Sequence, residues 1–409
     1  MQSPDSVVGV GQPPEAIRSR EGQLSPFEWY AEMRRESPVH LDEQRETWDV
    51  FRYEDVNHVL KDHDAFTANR SRNDETSSST GEDAMPMRKT MITTDPPEHD
   101  RLRGFVDERF QPGAIRDYQP QVEEVLKDLL DNLKGEERFD FVDEFAIPFP
   151  VIVIAELLGI PAKRREQFKA WSDTLVARPE DGTQEEMKRV QRERQQAQQE
   201  MGRYFATLLE ERRGGDGDDF VTLAANTEKL SRGEQVGFCM LLLLAGNITT
   251  TNLLTNAIWS VEEQGMMDEI RTREIDHKRA IEETLRYRSP IQSLKRIAIE
   301  DVELNGQQIQ AGDVVTLWLG AANRDPEIFD EPEEFRPERH PNRHIAFGTG
   351  VHFCLGAHLA RMEADVALKQ LLERFERVET DLSNLRPLNA LYGLESLPCE
   401  ASRNANPVE

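Results

Sequence analysis

The segment Phe347-Gly348-Thr349-Gly350-Val351-His352-Phe353-Cys354-Leu355-Gly356 decides the fold of this chain. Its three glycines allow sharp turns, and it brings one cysteine to the start of a predicted helix over residues 357–374. A thiolate is favoured by backbone N–H groups and by the positive end of a helix. The segment therefore predicts a cysteine that binds a metal ion as the thiolate.

Phe347, Gly350, Cys354 and Gly356 fill every fixed position of the pattern Phe-x-x-Gly-x-x-x-Cys-x-Gly. The segment thus resembles the haem-binding signature of the cytochrome P450 family, and the resemblance covers essentially the whole chain. It implies a mainly α fold, with one large helical domain and a small β-rich region. It also implies that Cys354 is the axial ligand of haem b, and that Phe347, Gly348 and Gly356 lie against the cofactor. A cysteine without such surroundings is more often a small buried apolar residue.

Two upstream motifs extend the resemblance. Glu283-Thr284-Leu285-Arg286 places an acid and an arginine three residues apart, a spacing that many exposed helices share. In the family, these two residues and the arginine at the position of Arg339 form a buried network. We assign this trio a structural role.

The second motif, Ala245-Gly246-Asn247-Ile248-Thr249-Thr250, follows an apolar run that begins at Phe238. Ser231 and Glu234 form a candidate capping box before the run, and Gly265 offers a stop after it. At about ten residues the run is too short to cross a bilayer. We therefore predict a long central helix inside the protein.

The resemblance assigns distal roles to this helix. Ala245 and Gly246 would let the haem approach the backbone, the Thr249 hydroxyl would supply protons on the distal side, and Asn247 is a further candidate in the proton path. The alternative for Thr249 is a hydrogen bond to a carbonyl of its own helix, which buried threonines often make.

One position departs from the family pattern. Most members have an acid before the distal threonine, whereas this chain has Ile248. The acid belongs to the family's distal proton path, so the resemblance implies altered proton delivery. Asn247, water or a substrate group could replace the acid.

Haem propionates need cationic or hydrogen-bonding partners, since unpaired carboxylates are costly in an apolar site. The family positions that supply them correspond here to His99, Arg103, Arg296 and His352. Taken alone, each arginine would more often be a solvated surface charge.

The domain prediction has three parts: an N-terminal extension over residues 1–25, a single haem domain over 26–400, and a polar tail over 401–409. Helical periodicity runs through residues 122–133 and 151–158. Strand pairs are predicted near residues 39–41 with 47–53 and around Asn305-Gly306, at 302–304 with 307–309.

Three loops are predicted to shape substrate access. They are the polar segment 70–83, the turn at 177–183 and a segment near 391–397 that would return toward the haem. For the first two, a surface loop without this role is an equal alternative.

The net charge is -27, and the chain has 11 lysines against 39 arginines. So acidic a surface repels nucleic acid and anionic membranes. The scarcity of lysine favours a source with a salty cytoplasm, where self-repulsion is screened; an ordinary acidic soluble protein is the alternative.

The leading functional hypothesis is a haem-thiolate monooxygenase that inserts one atom of O2 into a small apolar substrate. Residues 1–25 lack the pattern of a signal peptide, and three cysteines imply no disulfide framework, so we expect a cytoplasmic protein. We also expect a monomer. Electrons would come from a ferredoxin or flavodoxin-type donor and its reductase. The alternatives are a peroxide-driven hydroxylase on the same fold and a non-enzymatic haem sensor or binding protein.

The charge analysis gives a first prediction. We expect the melting temperature to rise between dilute buffer and molar KCl, because salt screens repulsion among the excess carboxylates. Thermal unfolding monitored by circular dichroism at both salt concentrations measures it. An unchanged melting temperature would remove the salt-adaptation hypothesis.

Overall fold

Helices form most of the protein, as predicted. The computed structural model describes residues 13–69, 89–133, 138–176, 183–388 and 391–403. The α-helices are α1 Arg20–Leu24, α2 Phe27–Glu36, α3 Tyr53–Lys61, α4 Glu98–Arg103, α5 Pro112–Asn132, α6 Pro148–Leu157, α7 Arg165–Val176, α8 Gln184–Arg212, α9 Phe220–Asn226, α10 Arg232–Glu263, α11 Met267–Arg271, α12 His277–Tyr287, α13 Leu319–Ala322 and α14 Ala357–Arg374.

The strands form three small sheets. The strands are β1 Val39–Asp42, β2 Thr47–Val50, β3 Phe66–Thr67, β4 Arg138–Asp140, β5 Ser293–Ala298, β6 Val302–Leu304, β7 Gln307–Ile309, β8 Val314–Trp318, β9 Phe375–Thr380 and β10 Pro398–Arg403. The largest sheet has the order β1-β2-β8-β5-β3, in which β2 and β8 are parallel. A second sheet has the order β4-β10-β9, and β6 pairs with β7.

Both predicted strand pairs are confirmed. β1 pairs with β2 in antiparallel register from Val39 opposite Val50, although the second strand ends before the predicted limit at residue 53. β6 and β7 are joined by Asn305 and Gly306, which have φ angles of 49° and 77°. Positive φ at both central residues is what a tight hairpin turn requires, and Asn-Gly tolerates it best.

Helix α10 is the central element of the fold. The predicted capping box is present: the Glu234 N–H donates to Ser231 Oγ, and the Ser231 N–H donates to Glu234 Oε2. α10 packs against α6, α8, α12 and α14. It is long and apolar enough to span a membrane, with a mean hydropathy of 1.5 in its most apolar window. However, 72% of that window is buried inside the protein, which is typical of a core helix.

The predicted trio of Glu283, Arg286 and Arg339 forms a buried network. Arg286 Nη2 and Nε donate to Glu283 Oε1 and Oε2 at 2.7 and 2.9 Å, and both side chains are fully buried. Arg339 Nε donates to Glu283 Oε1 at 3.2 Å. Two further donors bind the Glu283 carboxylate: the Arg336 N–H at 2.8 Å and Asn342 Nδ2 at 3.1 Å. The network therefore holds the segment that leads to the cysteine loop.

Residues beyond the predicted domain limits contact the rest of the structure, and the limits themselves stay a prediction. Within the predicted extension, Arg20 Nε donates to the Leu385 carbonyl at 2.8 Å, and Tyr392 Oη donates to that of Leu24 at 2.5 Å. The limit drawn at residue 400 falls inside strand β10. Residues 1–12, 404–409, the loop predicted at 70–83 and residues 177–182 of the second loop lie outside the described residues.

The buried network gives a second prediction. Glu283→Gln should destabilise the protein by about 3–5 kcal/mol, because it leaves the buried Arg286 without its counter-ion. Equilibrium denaturant unfolding measures the difference. The matched control is Glu210→Gln, which removes two exposed pairs, one of the same spacing with Arg213 at 3.4 Å and one with Arg232 at 3.3 Å. A loss no larger than that of the control would contradict the structural role.

Candidate active site

The cysteine loop turns through two glycines with left-handed backbone. Gly348 and Gly350 have φ angles of 69° and 71°, which residues other than glycine rarely adopt. The Cys354 N–H then donates to the Phe347 carbonyl at 2.9 Å. Helix α14 begins three residues after Cys354, at the predicted residue. The loop thus presents the cysteine just before a helix N-terminus, as its sequence indicates.

Cys354 differs from the other two cysteines in its accessibility. Its side chain is exposed, whereas Cys239 and Cys399 are buried. Burial by the surrounding loop nevertheless raises the pKa of the Cys354 thiol, against the opposing effects of the Gly356 N–H and of the Arg103 and Arg361 charges. The Cys354 sulfur is thus accessible, although surrounding protein atoms shield it partly from water.

Arg103 binds the cysteine loop. Its Nη1 donates to the Phe353 carbonyl at 2.6 Å and to the Val351 carbonyl at 3.4 Å. Its Nε donates to Asp107 Oδ1 at 3.0 Å. The structure therefore places the Arg103 guanidinium on the loop backbone, and its predicted contact with a propionate stays a prediction.

Three of the four predicted propionate partners lie together. The His99 and His352 rings meet edge to face with centroids 4.7 Å apart. Arg296 and His99 are buried, and both charges act on His352. Burial lowers the pKa of His352, and the charges of Arg296 and His99 lower it further. Asp95 has the opposite effect and raises this pKa. The cluster is a group of cationic and hydrogen-bonding side chains at one place in the fold.

Asp95 organises this cluster, a role that the sequence analysis missed. Its carboxylate accepts from Thr67 Oγ1, from the Ala68 N–H at 3.1 Å and from His352 Nε2 at 3.4 Å. Burial raises the pKa of Asp95, but the bonds from His352, Thr67 and Ala68 together bring it down to about 2. No sequence signal connects Asp95 with His352, which lies 257 residues away.

The middle of helix α10, which is otherwise mostly buried, contains an exposed residue. Leu243 is buried, whereas Ala245, two residues further on, is exposed, so open space lies beside this part of the core helix. Thr249 Oγ1 donates to the Ala245 carbonyl at 2.7 Å, the bond that the sequence analysis gave as an alternative. A Cβ on Gly246 would lie 3.4 Å from Ile154 Cδ1, so this glycine faces α6.

The remaining distal residues lie beside this exposed position. Asn247 is buried and Ile248 is half-buried. The Ile248 carbonyl accepts a hydrogen bond from Asn252 Nδ2 at 2.9 Å. The proton-path roles of Asn247 and Thr249 stay predictions, and so does the approach of the haem to the backbone at Gly246.

Comparison with known proteins decides the family. The family model described as cytochrome P450 matches residues 277–394. YjiB of Bacillus subtilis, which carries the name of a cytochrome P450, is 40% identical over 388 residues, covering 93% of this chain and 94% of that protein. Cytochrome P450 109 of Bacillus spizizenii is 36% identical over 395 residues, covering 94% of each chain.

The chain belongs to the cytochrome P450 family. A solved P450 structure shows the same fold: CYP109E1 from Bacillus megaterium in complex with testosterone has a TM-score of 0.85 and 39% identity. That match covers 93% of this chain and 99% of the other. Members of the family are haem-thiolate monooxygenases, and its bacterial members use redox partners.

The residues of this P450 fit a haem. Cys354 offers an accessible sulfur, and a Cβ built on Gly356 meets no atom within 4 Å, so open space lies beside the loop. The exposed Ala245 shows that open space also lies beside α10, the helix that packs against α14. The cluster of His99, Arg296 and His352 supplies the donors that two propionates need.

The cationic cluster gives a third prediction. Arg296→Gln should weaken haem binding roughly ten- to hundredfold, because a hydrogen bond to a charged group contributes about 1.5–3 kcal/mol. The rate of haem transfer to an excess of an apo-haem protein measures it. Arg377→Gln is the control, since Arg377 is exposed and pairs with Glu379 on the surface. Equal transfer rates for the two variants would remove Arg296 from the haem-binding set.

Proposed function

We propose that this P450 binds haem b through Cys354 and inserts one atom of O2 into a small apolar substrate. The observation that carries the proposal is the accessible Cys354 sulfur, held at the start of α14 by a loop with the full signature of the family. Bound through a thiolate, the haem supplies the activation of O2, because the thiolate pushes electron density toward the iron.

The chain's own residues have three tasks in this proposal. Phe347, Gly348 and Gly356 shape the surface on which the macrocycle lies. His99, Arg296 and His352, together with Arg103, hold the propionates. On the other side of the haem, Ala245 lines the open space beside α10, while Asn247 and Thr249 hold and move protons.

An apolar substrate fits the cavity wall on α10, where Leu244, Ala245 and Ile248 are at least partly exposed. We propose steroids as the first substrate class to test. This choice rests on the relative CYP109E1, which was solved with testosterone and with corticosterone. Type-I spectral shifts on titration with these steroids, and with fatty acids for comparison, test the choice.

We also propose that the enzyme works as a cytoplasmic monomer with separate electron donors. The family's use of redox partners supports a donor, and we infer a ferredoxin or flavodoxin-type protein with its reductase. NAD(P)H-driven product formation on adding each donor system tests this, and sedimentation measures the oligomeric state.

The carbon monoxide difference spectrum of the reduced protein gives a fourth prediction. We expect a strongly red-shifted Soret band in the native protein and its loss in Cys354→Ser, because the shift depends on the thiolate ligand. A band at the position typical of imidazole-ligated haem, unchanged by the substitution, would reject Cys354 as the ligand. A haem-binding protein without oxygenase activity would then become the leading hypothesis.

Ile248 gives a fifth prediction. We expect Ile248→Glu to increase the fraction of NAD(P)H electrons recovered in product, because it supplies the acid that most of the family has before the threonine. Ile248→Gln, which is polar but carries no acid, is the matched control. Product and hydrogen peroxide are measured against NAD(P)H consumed. Equal or better coupling in the native protein would contradict the prediction.

Because Ile248 replaces the usual acid, a peroxide-driven hydroxylase is a second candidate function. Product formed faster with hydrogen peroxide than with any donor system would favour it.

A further inference from the structure

Glu282 links three parts of the proximal side of the fold. It lies on α12, next to Glu283 in the sequence, but it joins a different set of partners. Arg361 Nε and Nη2, from α14, donate to Glu282 Oε1 and Oε2 at 2.6 and 3.1 Å. His344, from the segment before the cysteine loop, places Nε2 3.0 Å from Glu282 Oε2.

The hydrogen bonds of His344 define its tautomer. The Ala346 N–H donates to His344 Nδ1 at 3.3 Å, so Nδ1 is the acceptor. Nε2 therefore carries the proton and donates to Glu282, and the imidazole is neutral in this arrangement. A second proton on Nδ1 would face the Ala346 N–H. The pair Glu282 and Arg361 thus has no net charge, and His344 adds none.

Arg361 connects this pair to the cysteine loop. Its guanidinium carbon lies over the Phe347 ring, 4.5 Å from the ring centroid. The carbonyl of the same Phe347 accepts the Cys354 N–H at 2.9 Å. The Arg361 charge also acts on the Cys354 sulfur, where it favours the thiolate. A cation held over this ring is therefore close enough to influence the ligand electrostatically.

Stability alone gives a weak reason for such an arrangement. Burial raises the pKa of Glu282, but the bonds from His344 and Arg361 bring it down to about 2, so the carboxylate is ionised at neutral pH. The Glu282 and Arg361 side chains are 32% and 31% exposed. Partly exposed ion pairs contribute only about 0–1 kcal/mol to stability, since solvent screens them. The geometry instead fixes a cation at a defined place.

We propose that Glu282 is a positioning residue, which holds Arg361 on the Phe347 ring and balances its charge, and that this pair sets the reduction potential of the haem iron. The inference rests on the proposed function, since it requires Cys354 as the haem ligand. The physical basis is electrostatic. Reduction adds negative charge at the iron, so a nearby cation favours the reduced state and a nearby anion opposes it.

Single substitutions of the two partners should shift the potential in opposite directions. Arg361→Gln removes the cation and should make the reduction potential more negative. Glu282→Gln removes the negative charge, but its amide oxygen still accepts from Arg361 and keeps the cation in place, so the potential should become more positive. The double variant should lie between the two. Spectroelectrochemical titration of the substrate-free, haem-loaded protein measures all of them.

A merely structural role gives a different pattern. If the pair only braced α12 against α14, both single variants would weaken the loop in the same way, and their potentials would not separate in sign. Arg361→Lys keeps the charge but loses the bidentate geometry. Its reduction potential should therefore lie much closer to the native value than that of Arg361→Gln. Failure of this rescue, with equal haem content, would count against the electrostatic role.

The matched control joins the same two helices one turn further along α14. Asp365 lies 3.5 Å from His277 Nδ1 and 3.8 Å from Lys278 Nζ. It has no contact with the cysteine loop among the described residues. Asp365→Asn should leave the reduction potential unchanged. A shift equal to that of Glu282→Gln would mean that any charge between these helices acts alike, and would overturn the specific role of Glu282.

The carbon monoxide spectrum separates the two levels of inference. A native protein without the red-shifted band would reject the proposed function itself, and the potentials would not then bear on Glu282. A native protein with the band, in which both single variants keep the native potential, would overturn the positioning role and leave the proposed function intact.

Discussion

The buried carboxylate of Glu283 is the interaction on which the rest of the structure depends. Five donors converge on it, two from Arg286 and one each from Arg336, Arg339 and Asn342. Arg286 also donates to the carbonyls of Asn323, Pro332 and Glu334, so the same pair organises the backbone of the following segment. An ion pair this deeply buried is tolerated only when every polar atom has a partner. The path of the chain toward the cysteine loop is therefore set by the requirements of one acid.

Two adjacent acids on α12 perform different tasks because successive helical residues point in different directions. Glu283 points into the core and holds the segment from residue 323 to 342. Glu282 points toward α14 and reaches a cation at the edge of the cysteine loop. One turn of helix thus supports both the chain leading to Cys354 and the electrostatic surroundings of Cys354. The basis for this division is geometric, since the side chains belong to the same residue type.

The parts of the structure that local sequence determines could be predicted. The helix after Cys354, the capping box of Ser231 and Glu234, and the Asn305-Gly306 hairpin each depend on a few neighbouring residues, and each is present. The buried network could be predicted only through the family resemblance, because Arg339 is 56 residues from Glu283. The links from Asp95 to His352 and from Glu282 to Arg361 could not. They join side chains 257 and 79 residues apart, and single acids and arginines in a chain so rich in both give no signal of their partners.

The different surroundings of the three cysteines determine which thiol is open to oxidation before the proposed haem binds. Burial raises the pKa of both Cys239 and Cys399 far above the physiological range, so these thiols stay protonated and enclosed. Cys354 alone is accessible. Oxidants attack accessible sulfur first, and the higher oxidation states of cysteine are irreversible. A newly folded chain therefore exposes one of its three thiols, and that thiol belongs to the proposed haem ligand. Coordination of the sulfur would also protect it from oxidation.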